Sequence, residues 1–467
     1  MTSQDVTASP GAISRNPATG VVIETYPFLS SRGIEQLLSR AAAAQVEWRA
    51  TSMDQRVKYY LRLAETFHTD QDRLAKLITD EMGKTLGEAH AEMEKSAAAL
   101  RWIAESGPAI LADEPAAPDV DDEVYVSYLP IGTILAVMPW NLPIWQVVRA
   151  AGPIMLSGNG FLLKHAPNVI GCARALQEAY EASGFPAGLF AVLNADNDAV
   201  AEVIADRRVA AITLTGSARA GAAVASTAAK NLKKSLLELG GTDAFIVLAD
   251  ADLEKAVQAA IAARYGNAGQ VCLAAKRLIL EEPIAEAFTQ QFIEAAKALK
   301  VGDPTDKNTY FGPIARGDLR DGVHDQVQRS IADGATLALG GHKIEGPGFF
   351  YEATVLTGVL PGMTCFDEEV FGPVASITIA KDVEDAIRLA NMSEYGLGGA
   401  LWTKDLARAR DLVRRIETGG VFVNGYFVTN PRIPVGGVKK SGYGRELSHF
   451  GLREFTNAQA VWIKTAA

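Results

Sequence analysis

The sequence predicts an α/β protein of two units, the first built on a parallel, doubly wound sheet. Three observations predict it. From residue 124 onward, short apolar runs alternate with segments of helical periodicity, the pattern of strand–helix crossovers. A second series of strands and helices starts near residue 244. The chain has 467 residues, 48% hydrophobic and 21% charged, which is enough for two or three domains with a large core.

The elements follow in order. The first hundred residues are mostly helical in pattern. "MDQRVKYYLRLAETFH" repeats apolar residues every three or four positions behind Ser52, an expected N-cap. "DQDRLAKLITDEMGK" restarts after Asp70 and stops at Gly83. Residues 113–123, "DEPAAPDVDDE", are acidic and Pro-rich and suggest a linker or exposed excursion. Strands are expected at "VYVSYL", "GTILAVM", "GFLLKH", "AVLN", "VAAITLTG", "KSLLEL" and "DAFIVL", with helices at 168–182 and 217–230. The second unit carries helices at 252–264 and 283–299 and strands near 276–281 and 374–379. No internal repeat or low-complexity tract interrupts the pattern.

Bulk properties exclude several function classes. A net charge of −10 and a pI near 5.3 leave no electrostatic footprint for nucleic acid. The opening "MTSQDVTASPGAISR" lacks the charged and apolar regions of a signal peptide. No apolar run approaches the roughly 18 residues of a membrane span. The three cysteines, Cys172, Cys272 and Cys365, are far apart. They form no disulfide framework, so a cytoplasmic location is expected. The six histidines are scattered singly, and no metal site is expected.

Four stretches could carry chemistry. In "ITLTGSARAG", a β-branched run stops at Gly216 and Ser217 can cap the next helix. A helix N-terminus suits a phosphate, although many strand–helix turns contain Gly-Ser. In "LLELGG", Glu238 lies in an apolar strand. Desolvation would raise its pKa and suit a general base, whereas on an alternating strand it would face solvent. In "GNAGQVCLAAKR", Cys272 follows small residues. A free cysteine is usually a small buried hydrophobe, but an open approach would make it a nucleophile toward a carbonyl carbon. In "MPWNLP", two prolines bracket Trp140 and Asn141. The Asn amide can donate to an oxyanion, or the stretch is a rigid turn with a buried Trp.

Together, "PWNLP", "LTGSARAG", "LELGG", "GQVC", "EEVFGP" and "GGVKKSGYGRE" resemble the aldehyde dehydrogenase superfamily in order and spacing. The resemblance implies two doubly wound, Rossmann-like α/β domains plus a small β oligomerisation arm. A dinucleotide-binding domain would take 1–111 and 131–241, a catalytic domain 242–440, and arms 112–130 and 441–467. "VWIKTA" would be an arm strand able to extend a partner's sheet, in a homodimer or homotetramer. Cys272 would be the nucleophile and Glu238 the base for the cysteine or for the hydrolytic water. Asn141, with the Cys272 N–H, would form the oxyanion hole. Lys164 would contact the cofactor ribose, Gly216 and Ser217 the pyrophosphate, and Glu369 and Phe371 the nicotinamide half. Trp140 would line the cofactor cleft.

The likeness extends to bacterial succinate-semialdehyde dehydrogenases through "LLKHAPN", "LNADND" and "GGVKKSG". Arg149 matches an arginine that binds the distal carboxylate there, as a guanidinium does well. A second such arginine is Gly266 here, and Arg432 is the expected substitute. Ala274 stands where some relatives carry a regulatory cysteine. Pro167 occupies the position of a glutamate that excludes NADP, so either NAD or NADP is expected. The alternatives are a broad-specificity aliphatic or aromatic aldehyde dehydrogenase, a CoA-acylating relative, or a non-enzymatic protein that keeps the fold.

Overall fold

The computed structural model describes residues 11–117 and 119–465. A hairpin of Gly11–Arg15 and Val22–Pro27 precedes helices Ser31–Ala50, Met53–Thr69 and Gln71–Met82, then the long helix α1 (Leu86–Ile110). Ser52 caps as expected by accepting from the Gln55 N–H, and Gly83 ends its helix at φ 92°. A capping box of Thr85 and Glu88 starts α1.

The first sheet contains β1 (Thr133–Met138), β2 (Gly160–His165), β3 (Phe190–Val192), β4 (Val209–Thr215) and β5 (Lys234–Glu238). Their order is β5-β4-β1-β2-β3, and all are parallel. Helix α2 (Trp145–Leu156) follows β1 and α3 (Ala218–Lys230) follows β4. The chain runs outward from β1 to β3 and then crosses to β4 on the other flank. The switch point is therefore the crevice beyond the C-terminal ends of β1 and β4, where open α/β sheets bind ligands. The N-terminal helices cover this sheet through a core that includes Trp48, Tyr60, Phe67, Phe161 and Phe190.

The second sheet contains β6 (Ala244–Val247), β7 (Arg277–Glu281), β8 (Thr336–Leu339), β9 (Thr354–Thr357), β10 (Val374–Ala380), β11 (Gly399–Trp402) and β12 (Val421–Val423). The order is β8-β9-β10-β7-β6-β11-β12, parallel except for β8 against β9. Helix α4 (Leu253–Tyr265) links β6 to β7. The expectation omitted β8, β9, β11, β12 and the N-terminal hairpin. Apolar runs of three or four residues are too short for periodicity to show.

A third sheet pairs Glu123–Pro130 with Glu114–Pro115 on one side and Thr456–Ile463 on the other. The two long strands pair antiparallel from Glu123↔Ile463 to Pro130↔Thr456. Val461–Ile463 of "VWIKTA" thus lie in a strand that pairs within the chain, and Ala466 lies outside the described residues. The described residues of the expected arm 441–467 fall in three elements. Gly442–Tyr443 joins β5 in the first sheet, and helix Ser448–Glu454 lies against α1 and α2. The strand Thr456–Ile463 follows in the third sheet. No helix among the described residues is long and apolar enough to cross a membrane.

Candidate active site

The turn after β1 brings Trp140 and Asn141 to the crevice. Two buried groups hold it there. His165, the last residue of β2, accepts the Ala166 N–H on Nδ1 (3.0 Å) and donates from Nε2 to the Pro143 carbonyl (2.8 Å). Burial lowers its pKa to about 4, so the ring is neutral and keeps that donor. Glu92 of α1 accepts the N–H groups of Ile144 and Trp145 at 2.8 and 2.9 Å. Its other oxygen accepts from Lys84 Nζ at 2.6 Å, with both side chains 1% exposed. A buried carboxylate at the start of α2 satisfies otherwise orphaned donors and suits the helix dipole.

The turn before Cys272 is strained. Asn267 and Ala268 have φ near 54° and Gly269 has φ 70°, so three successive residues are left-handed. For a residue with a Cβ this costs about 1–2 kcal/mol. Neighbours enforce the shape. Asn267 N–H donates to Glu88 (2.6 Å), and its amide donates to the Asn141 carbonyl (3.0 Å). The Asn141 amide in turn donates to the Gln270 carbonyl (3.0 Å). The two turns are thereby bolted together, and Nδ2 of Asn141 keeps its second hydrogen for a ligand. Gly269 is required because a Cβ there would meet the Gly372 carbonyl at 2.2 Å.

Glu238 ends β5 and is 3% exposed, which settles its orientation inward. Burial, reinforced by Glu446, pushes its pKa up to about 8, against the pull of Arg149 and Arg445. Burial likewise pushes Cys272 up to about 11, with Lys276 and Arg149 drawing it back. Cys172 and Cys365 are buried in hydrophobic clusters, whereas Cys272 is accessible.

A cleft of about 230 Å³ collects these groups: Asn141, Glu238 and Cys272 share it with Trp140, Gly216, Ser217, Glu369 and Phe371. A concave site with a few convergent polar groups suits a small molecule. The Trp140 and Phe371 rings meet edge to face at 5.7 Å. Ser217 caps α3, and a Cβ on Gly216 would touch only Leu214, so nothing crowds the helix start.

A model of the aldehyde dehydrogenase family matches residues 7–461. The chain belongs to the aldehyde dehydrogenase family. It is 53% identical over 457 residues to the NAD(P)+ succinate semialdehyde dehydrogenase Sad of Escherichia coli strain K12, covering 98% of this chain and 99% of that one. It is 46% identical over 451 residues to an NADP+ succinate-semialdehyde dehydrogenase of Mycolicibacterium paratuberculosis, covering 96% of each. Among solved structures, succinic semialdehyde dehydrogenase from Streptococcus pyogenes with NADP+ superposes with a TM-score of 0.95 at 36% identity, covering 97% of this chain and 99% of that one.

As an aldehyde dehydrogenase family member, the chain gathers eight of the eleven expected site residues in one cleft. Three lie outside its lining. Lys164 of β2 is half-buried, and its Nζ donates to the His165 carbonyl at 3.2 Å. Arg432 is exposed in the loop before Val435. Arg149 of α2 is 2% exposed and ion-paired with Glu446, a partner supplied from far along the chain. The expected direct clamp on a substrate carboxylate is therefore not the arrangement seen, because that guanidinium already neutralises a buried carboxylate.

The structure adds residues to which the motifs gave no role. Gln146 and Thr215, the latter inside "ITLTGSARAG", line the cleft. Lys95 of α1 lies 4.4 Å from the Trp145 ring centre and donates to Thr429 Oγ1. Burial, with Arg149 adding to it, lowers its pKa to about 8. A lysine on an amphipathic helix gives no sequence sign of such a setting.

Proposed function

We propose that this chain oxidises succinate semialdehyde to succinate with NAD or NADP. The observation that carries the reading is the convergence of Cys272, Asn141 and Glu238 on one cleft. The Cys272 thiolate attacks the aldehyde carbon, and the oxygen becomes an oxyanion. The Asn141 amide and the Cys272 N–H stabilise it as preorganised donors. A bound nicotinamide dinucleotide supplies the hydride acceptor. The cleft residues fit such a group: aromatic faces at Trp140 and Phe371, an uncrowded helix start at Gly216 and Ser217, and Glu369 beside them. Cys272 is left as a thioester. Glu238 in its ionised form takes a proton from water, and hydrolysis of the thioester frees the acid and returns the thiol. The presence of this base supports water over CoA as the acceptor. Asn141→Ala is expected to lower kcat about 10²–10³-fold and to cost about 1 kcal/mol of stability, because the same amide ties the two turns, as measured by steady-state kinetics and thermal melting.

The named relatives support the dicarbon-spaced carboxylate substrate, and Pro167 supports use of both cofactors. A second reading, oxidation of an uncharged aldehyde, is favoured by the engagement of Arg149 with Glu446. The ratio of kcat/KM for succinate semialdehyde to that for hexanal separates them. We expect the wild type to favour the semialdehyde at least about tenfold, the worth of one charge-assisted contact to its carboxylate. A wild type that prefers hexanal sinks the succinate reading.

A further inference from the structure

The cysteine loop rests on a lysine that the mechanism above does not use. Lys276 stands just before β7, and Asp243 just before β6. These strands pair in register from Ala244↔Arg277, so the two side chains begin at adjacent corners of the second sheet. The backbone keeps them together: the N–H groups of Lys276 and Arg277 both donate to the Asp243 carbonyl at 3.1 Å.

The Lys276 side chain is 1% exposed. Its Nζ donates to the Val271 carbonyl at 2.9 Å and to the Cys272 carbonyl. It also pairs with Glu369 Oε1 at 3.2 Å and lies 5.9 Å from the Phe371 ring centre. Two carbonyls and one carboxylate thus surround the ammonium, which restricts its orientation. Glu369 is fixed from its other side by the Gly241 N–H at 3.2 Å. A Cβ on Gly240 would strike that carboxylate at 1.9 Å. Lys276 thus links the nucleophile's own carbonyl to the "EEVFGP" wall of the cleft.

We propose that Lys276 is a positioning residue for the nucleophile: it pins the Cys272 turn, sets a positive charge beneath the sulfur, and divides that charge between the sulfur and Glu369. In a water-poor site a buried cation acts strongly on a neighbouring thiolate. The charged groups around Cys272 are Arg149 from α2, Lys95 from α1, Glu238 at the end of β5, Asp243 before β6, Glu369 from the 368–373 turn, and Lys276 itself. Lys276 heads those that favour the anion, while Glu369 and Asp243 oppose it. The sign of each variant's effect follows. Removing Lys276 should make the sulfur harder to ionise, and removing the Glu369 charge should make it easier.

The inference rests on Cys272 being the reactive thiol, and alkylation tests it without aldehyde or dinucleotide. Iodoacetamide alkylation rates at residue 272 of the full-length protein, read by peptide mass spectrometry, are measured against pH for wild type, Lys276→Met, Lys276→Arg and Glu369→Gln, with total adduct formation in Cys272→Ala as control. We expect Lys276→Met to slow alkylation at pH 8 about tenfold and move its midpoint upward. Lys276→Arg should restore most of the rate, and Glu369→Gln should move the midpoint downward. Unchanged midpoints in both Lys276→Met and Glu369→Gln overturn the proposal. If Lys276→Met does not fold, Glu369→Gln decides alone, since a midpoint that stays or rises refutes the shared charge. Alkylation that persists at the wild-type rate in Cys272→Ala instead counts against the nucleophile itself, and so against the proposed function.

Discussion

Cys272→Ser is expected to cut kcat about 10⁴-fold or more while leaving the fold in place. Serine changes one atom in a cleft-facing side chain, so packing and the strained 267–269 turn survive. The chemistry does not. A hydroxyl far above its useful ionisation range is a poor nucleophile unless a base is poised on it, and the acyl intermediate then becomes an ester. The site has little spare help: burial already holds the Cys272 thiol up near 11, so reactivity depends on Lys276, Arg149 and a nearby base. Steady-state formation of reduced dinucleotide measures the loss, and a thermal melt within about a degree of wild type shows that the fold is kept. Normal turnover in this variant would remove the nucleophile from the mechanism.

Glu238→Gln is expected to lower kcat about 10²–10⁴-fold, the usual contribution of a positioned base. The same variant separates the two roles considered for Glu238. A rapid burst of reduced dinucleotide followed by slow turnover assigns the base to the hydrolytic water. No burst assigns it to the cysteine. The pH dependence has a definite sign. The carboxylate is the active form and Glu238 is raised to about 8, so wild-type kcat should climb with pH to a midpoint near that value. Glu238→Gln should lack that limb.

Stability should move in the opposite direction. Between the ordinary value of 4.5 and about 8, the native state holds a proton that the unfolded state has released. Native stability therefore falls as pH rises through that window. A neutral Gln escapes the penalty, so the variant should melt no lower than wild type at pH 9, and higher if Gln hydrogen-bonds well. A variant that is both inactive and unstable at high pH would show that Glu238 is structural.

Local patterns in the chain determined the elements and most of the site. Ser52 and Ser217 announced helix starts, Gly83 a helix end, and the apolar runs from 132 to 248 gave nearly every strand of the first sheet, since alternation and capping are properties of neighbouring residues. The same is true of the six motifs, whose resemblance named Cys272, Glu238 and Asn141 before any coordinates. Other features became visible only in three dimensions. Whether Glu238 faced water or the interior depended on which face of the sheet was covered. Arg149 was assigned to a substrate carboxylate, but tertiary structure gave it to Glu446, nearly 300 residues away in sequence. Lys95 and Glu92 carry no motif, and Lys276 and His165 sit inside quoted stretches without a sign of their roles, because those roles lie in the carbonyls, rings and N–H groups that the fold brings to them. Residue type and spacing settle what a stretch of chain can do locally. Partners for buried charge are settled by the fold, because an ion removed from water must find its compensation in whatever segment packs against it.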